Sequence, residues 1–256
     1  MIKPLIAALL IAIGLFFGMR TYFAKPEAIA AESQRKIIVG TESNYPPFEF
    51  IKDGTLSGFE IELLETIGKR LGLSIEFRDM AFDNLLFAAS SGQIQLIAAA
   101  LTPTPERARQ VLFCEPYLQA SKIIALSSAA RPLTSLAELK GKTLLMTDGF
   151  TSGEEFIKGI EGAVVKKFPT ITDGFLALKN GQADALVVSS TAAAPWLAAT
   201  DAALFYSLVL PATEASAFAV SKLHPELVTI IDQALKAMKD DGSLVELLEK
   251  WHITKD

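Results

Sequence analysis

Gly40-Thr41-Glu42-Ser43-Asn44-Tyr45-Pro46-Pro47-Phe48, then Gly58-Phe59-Glu60-Ile61-Glu62, then Thr102-Pro103-Thr104-Pro105-Glu106-Arg107 form the stretch on which the reading of this chain turns. The first segment follows the apolar run Ile37-Ile38-Val39, and the third follows Leu96 to Leu101, runs of the kind that make buried strands. Between them, Glu60 to Leu71 carries apolar residues at 61, 63, 64, 67 and 71, a helical spacing that Gly72 ends. Strands alternating with helices predict an α/β unit, and open α/β sheets place ligands at the edge where such turns emerge. Tyr45, before two prolines that keep its backbone out of a helix, and Arg107 are both delivered to that edge. A flat ring and a planar guanidinium suit the holding of a small zwitterion better than its cleavage.

The same alternation continues outward. Leu73 to Phe77 is expected as a strand, Asn84 to Ala89 as a short helix stopped by Ser90-Ser91-Gly92, and Leu96 to Leu101 as a central strand. A second unit begins near Lys122, with Ile123 to Leu126, a short helix capped by Ser135 and ended by Gly141, and a strand at Thr143 to Met146. Thr147 to Gly153 is read as a turn feeding a helix from about Glu154, whose free backbone N–H groups would face an anion. Phe175 to Asn180 reads as helix and Ala185 to Val188 as strand. After Pro211 come a strand at Ala217 to Val220 and amphipathic helices at Pro225 to Met238 and Leu244 to Trp251.

Composition narrows the class. A chain of 256 residues, half of them hydrophobic, can build two modest cores, and a net charge of -5 offers no basic footprint for nucleic acid. Met1-Ile2-Lys3 precedes the uncharged run Pro4 to Met19, so residues 1–30 read as a signal peptide cleaved after Ala30 or as an N-terminal membrane anchor. Cys114 is the single cysteine, which rules out an intrachain disulfide and a lipid-modified cysteine behind the leader. His224 and His252 both lie in the C-terminal tail, away from any nucleophile, and no metal-ligand cluster or phosphate-binding glycine loop is present, so no cofactor is expected.

The order of these motifs resembles the amino-acid-binding proteins of ABC importers, the type 3 solute-binding family, over residues 36–256. The resemblance implies an α/β, two-lobed, periplasmic-binding-protein-like fold of type II, with the ligand in the interlobe cleft and two hinge crossovers, near Gln119 to Ile123 and Leu210 to Ala215. Lobe 1 would comprise 36–121 and 212–256, and lobe 2 residues 122–211. By the same resemblance Arg107 and Thr102 hold the ligand's α-carboxylate, Tyr45 and Phe82 form aromatic walls, the Ala100 carbonyl accepts from the α-ammonium, and Thr151 and Ser152 close from the second lobe. Gly181-Gln182-Ala183-Asp184-Ala185 matches a second-lobe signature, but Ser189 stands where that family carries an ammonium-binding aspartate. Three accounts of the missing aspartate stay open: Glu42 serves instead, the ligand lacks an ordinary α-ammonium, or another nearby acid substitutes. Two rings beside Glu42 favour a basic ligand such as arginine or lysine, and because glutamine binders of that family also carry an acid there, another polar amino acid stays open. The implied function is an exported, monomeric, non-catalytic receptor serving a separate membrane permease; a cyclohexadienyl-dehydratase-like enzyme, with Glu154 or Glu155 as acid, and an anchored sensor are the alternatives.

Overall fold

The computed structural model describes residues 35–199 and 202–253. The expected leader, residues 1–30, lies outside the described residues, and among those described no helix is long and apolar enough to cross a membrane.

Three sheets organise the chain. The first has the order β5-β1-β6-β13-β7, built from Ser74–Asp79, Lys36–Thr41, Leu96–Ile97, Ala219–Ser221 and Val111–Phe113. Its parallel core pairs Ile37 with Ile75 and Val39 with both Phe77 and Leu96, as expected for a β-branched strand covered on both faces. The second has the order β10-β9-β11-β8-β12, from Val164–Phe168, Thr143–Thr147, Ala185–Ser189, Leu118–Ser128 and Phe205–Ser216. A small antiparallel sheet, β2-β3-β4 (Asn44–Tyr45, Glu49–Lys52, Thr55–Ser57), carries the Tyr45 turn. The chain passes from the first sheet to the second between β7 and β8, and returns between β12 and β13.

Among the described residues, seven α-helices cover the sheets. Helix α1 (Phe59–Leu71) buries Phe59, Ile61, Leu63, Leu64 and Ile67, carries acids in its first turn and Lys69 and Arg70 in its last, and ends on Gly72 at φ 65. That left-handed cap is a conformation glycine reaches without strain. The others are α2 (Phe82–Ser90), α3 (Thr151–Lys158), α4 (Ile171–Lys179), α5 (Ser190–Ala199), α6 (Glu226–Asp240) and α7 (Ser243–Lys250). Helices α1, α6 and α7 enclose one apolar core with β1 and β6, while Ile124, Leu126, Phe175 and Leu186 belong to a core of the second sheet. The side chain of Tyr45 packs against both.

Several expectations are adjusted. The strand expected over Leu96 to Leu101 stops at Ile97, because the chain turns and Ala100 takes φ 44, with its N–H bonded to the Glu60 carboxylate at 2.8 Å. Helix α3 begins at Thr151, three residues before the expected Glu154. Ser135 makes no side-chain cap; the turn Leu136–Leu139 is 3₁₀, and Glu138 reaches back to accept from the Thr134 N–H at 2.8 Å. Cys114 is a buried core residue, its thiol pushed up by burial.

Candidate functional site

A narrow cleft lies between the edges of the two five-stranded sheets. From the first sheet's side it is lined by Glu42, Asn44, Tyr45, Glu49, Phe82, Ala99, Ala100, Thr102 and Arg107. From the second come Thr147, Asp148, Gly149, Phe150, Pro169, Ile171 and Glu214. Six of the nine residues singled out in the sequence, Glu42, Tyr45, Phe82, Ala100, Thr102 and Arg107, are thus brought together. The other three, Thr151, Ser152 and Ser189, are outside the lining. Thr151 opens α3 with its hydroxyl buried and unbonded, Ser152 Oγ donates to the Glu214 carboxylate at 3.2 Å, and Ser189 Oγ accepts from the Ala192 N–H at 3.3 Å.

Arg107 is the centre of the site. It is only 6% exposed, its guanidinium lies 5.5 Å from the centroid of the Phe82 ring, and it donates to the carbonyl oxygens of Thr102 at 3.0 Å and Gly149 at 2.9 Å. The Thr102 bond is local, made by the T-x-T-x-x-R turn that precedes the 3₁₀ segment Arg107–Arg109; the Gly149 bond reaches the loop after β9. Burial draws the guanidinium's pKa down from its ordinary value, while Glu106 and Glu214 act to raise it. A buried cation whose two partners are neutral carbonyls retains capacity for a carboxylate.

Tyr45 stacks on Phe48 at a centroid distance of 5.8 Å, fixing its ring at the cavity wall. Burial, followed by the charge of Glu214, raises its pKa against a smaller lowering from Ser189, so it stays a neutral phenol. Glu42 accepts from the Phe82 N–H at 3.3 Å, which puts a carboxylate at the N-terminus of α2. Its pKa is raised by burial, opposed by the bonds from Phe82 and Asn44.

Behind the first wall is a second layer of acids. Glu60, fully buried, accepts from Tyr117 Oη on one oxygen and from the Ala100 N–H on the other. Glu49, 1% exposed, neighbours it and lines the cavity. Burial raises both pKa values, and Glu60 raises that of Glu49 further, because two adjacent buried carboxylates cannot both ionise cheaply.

Glu214 is an acid of the cavity lining that sequence reasoning missed. It sits on β12 beyond a break in the ladder: Val209 pairs with Ile124, but Thr213 pairs with Lys122, so the segment around Pro211 bulges. Proline has no N–H for the ladder, and bulges re-aim side chains at such places. Burial pushes Glu214 up to about 7, although Ser189, Ser152 and the charge of Arg107 act to lower it. No motif announces this position; the only sequence signal is an acid just past a proline in an expected crossover. Glu154, weighed as an acid, is ion-paired to Lys167 at 2.6 Å with its pKa lowered by that bond, which leaves it a poor proton donor.

Residues 37–254 match the profile of the bacterial extracellular solute-binding proteins, family 3. An arginine-binding extracellular protein of Bacillus subtilis (strain 168) is 33% identical over 226 residues, 85% of this chain and 86% of that one. Among solved structures, an ancestral arginine-binding protein bound to arginine superposes with a TM-score of 0.78 at 35% identity, covering 85% of this chain and 98% of the other. An ancestral amino-acid-binding protein described as a precursor of cyclohexadienyl dehydratase superposes at 0.74 with 31% identity, covering 84% and 94%.

Proposed function

The chain belongs to the bacterial extracellular solute-binding proteins of family 3 and has their two-lobed type II fold, and from that membership we propose that it is the extracytoplasmic receptor of an ABC importer for a basic amino acid. The lobes are 36–121 with 212–256, and 122–211. Ligand loads on the first lobe, the second closes over it, and the closed shape is what a membrane permease engages. Arg107 and Thr102 take the α-carboxylate; Tyr45 and Phe82 wall the side chain; the Ala100 carbonyl accepts from the ammonium; Thr151 and Ser152 support closure. Glu42 faces the cationic end of the ligand.

The observation that carries this reading is the charge balance of the cleft: one buried guanidinium, Arg107, among the carboxyl groups of Glu42, Asp148 and Glu214. A ligand with one carboxylate and two cationic groups complements that set better than a neutral amino acid does. The test is a thermal-shift screen of the purified protein against the standard amino acids. Arginine and lysine at a hundred times Kd should stabilise by about 2.7 kcal/mol. No shift with any amino acid at millimolar concentration sinks the receptor reading; a response to neutral amino acids alone sinks only the basic preference.

A second reading, a cyclohexadienyl-dehydratase-like enzyme, draws on one observation: a glutamate held near neutrality beside an arginine is a suitable general acid. Incubation with a cyclohexadienyl acid, followed by ultraviolet absorbance of an aromatic product, decides it. The anchored-sensor alternative turns on residues 1–30 and is decided by N-terminal sequencing of the exported protein.

A further inference from the structure

Ser189 ends β11 opposite Ile123 of β8, and Glu214 on β12 lies opposite Ser121 of the same strand. Residues directly opposite each other in an antiparallel pair share a face, and positions 121 and 123 of one strand share a face. Ser189 and Glu214 therefore flank β8 on one side of the sheet, and the Ser189 hydroxyl acts to lower the Glu214 pKa. A serine is short enough to leave that space to a glutamate arriving from the next strand but one. Of the two, only Glu214 lines the cavity, from the second sheet's side, with Ala100 and Arg107 on the first sheet's side.

We propose that Glu214 is the specificity-determining acid that receives the ligand's α-ammonium, doing from the returning strand β12 what an aspartate at position 189 would have done from β11. The assignment rests on the amino-acid reading above. It accounts for the pairing of a missing acid with a displaced one: an aspartate at 189 would share one face of the sheet with the Glu214 carboxylate across β8, and two carboxylates there repel. Ser152 Oγ, at 3.2 Å, holds Glu214 by a neutral hydrogen bond, which leaves its charge for the ligand. The charged and titratable groups acting on it are Arg107, from the turn before β7, and Tyr45, from β2.

The experiment is calorimetric titration of wild type and Glu214→Gln with two probes: L-arginine and 5-guanidinopentanoate, which keeps the carboxylate and guanidinium but has no α-ammonium. Replacing a charged hydrogen bond by a neutral one should weaken L-arginine by roughly 10- to 100-fold. The des-amino probe should bind the two proteins within about threefold, and this also shows that the variant is folded. Loss of both probes by the same factor makes Glu214 a support for Arg107 and overturns the proposal, as does unchanged L-arginine binding. If wild type binds neither probe, the receptor reading for basic amino acids has failed, which is a separate result.

Discussion

Gly149 carries φ 73 on the loop after β9, and its Cα faces the Phe82 ring across the cleft. A Cβ built there would lie 2.7 Å from Phe82 Cδ1 and 2.9 Å from Cζ, and nearer still to Cε1. Ordinary carbon contacts are about 3.5–4.0 Å, so Gly149→Ala requires the ring to shift by about 1 Å. The ring cannot retreat freely, since Arg107 rests on it at 5.5 Å. Two costs separate cleanly. The left-handed backbone costs an alanine about 1–2 kcal/mol in any folded state. The clash adds about 1–3 kcal/mol only when the two lobes meet. The first lowers the melting temperature without touching affinity; the second lowers affinity by about 5- to 150-fold. Calorimetric titration of Gly149→Ala in the wild-type and Phe82→Ala backgrounds forms a double-mutant cycle that isolates the clash. The loss should be large in the first background and nearly absent in the second. An equal loss in both, or a Kd within twofold of wild type, would refute a closure in which Gly149 meets Phe82.

Other expectations follow from single residues. Arg107→Ala should lower affinity more than 100-fold by titration, given two charged hydrogen bonds of about 1.5–3 kcal/mol each, and Arg107→Lys should recover part of it. Glu214 has its pKa raised from 4.5 to about 7, so its contribution to stability is full below pH 4.5 and is lost as pH rises to 7. Glu214→Gln should therefore match wild type near pH 4.5 and exceed it by about 2 kcal/mol at pH 8, after allowance for water in the cleft. Ligand-free urea denaturation at the two pH values measures this, and a pH-independent difference would contradict it. Tyr117→Phe removes the hydroxyl that bonds Glu60, which should lower stability by about 1–3 kcal/mol and show as a lower melting temperature in calorimetry.

Much of this was legible in the sequence because the cues were local. Ile37-Ile38-Val39 and the spacing from Glu60 to Leu71 carry strand and helix periodicity, and the turns holding Tyr45 and Arg107 are written in their own prolines and threonines. The illegible parts depend on partners far along the chain. Ala98 to Leu101 looks like strand, and only Glu60, arriving from α1, explains why it turns. Helix α5 was missed because it is alanine-rich, has Pro195 inside it and shows no polar face. Glu214 has meaning only once β12 is laid beside β8, a pairing no spacing encodes.

Strand β13 lies between β6 and β7, and β7 is joined to the first sheet through it. Arg107 stands immediately before β7, so its anchorage depends on residues 219–221. A chain emerging in order from its N-terminus holds every aromatic of the first wall long before that strand exists. The binding site is therefore among the last features to be completed, and a chain stopped before residue 221 would lack both the anchored guanidinium and a finished first sheet.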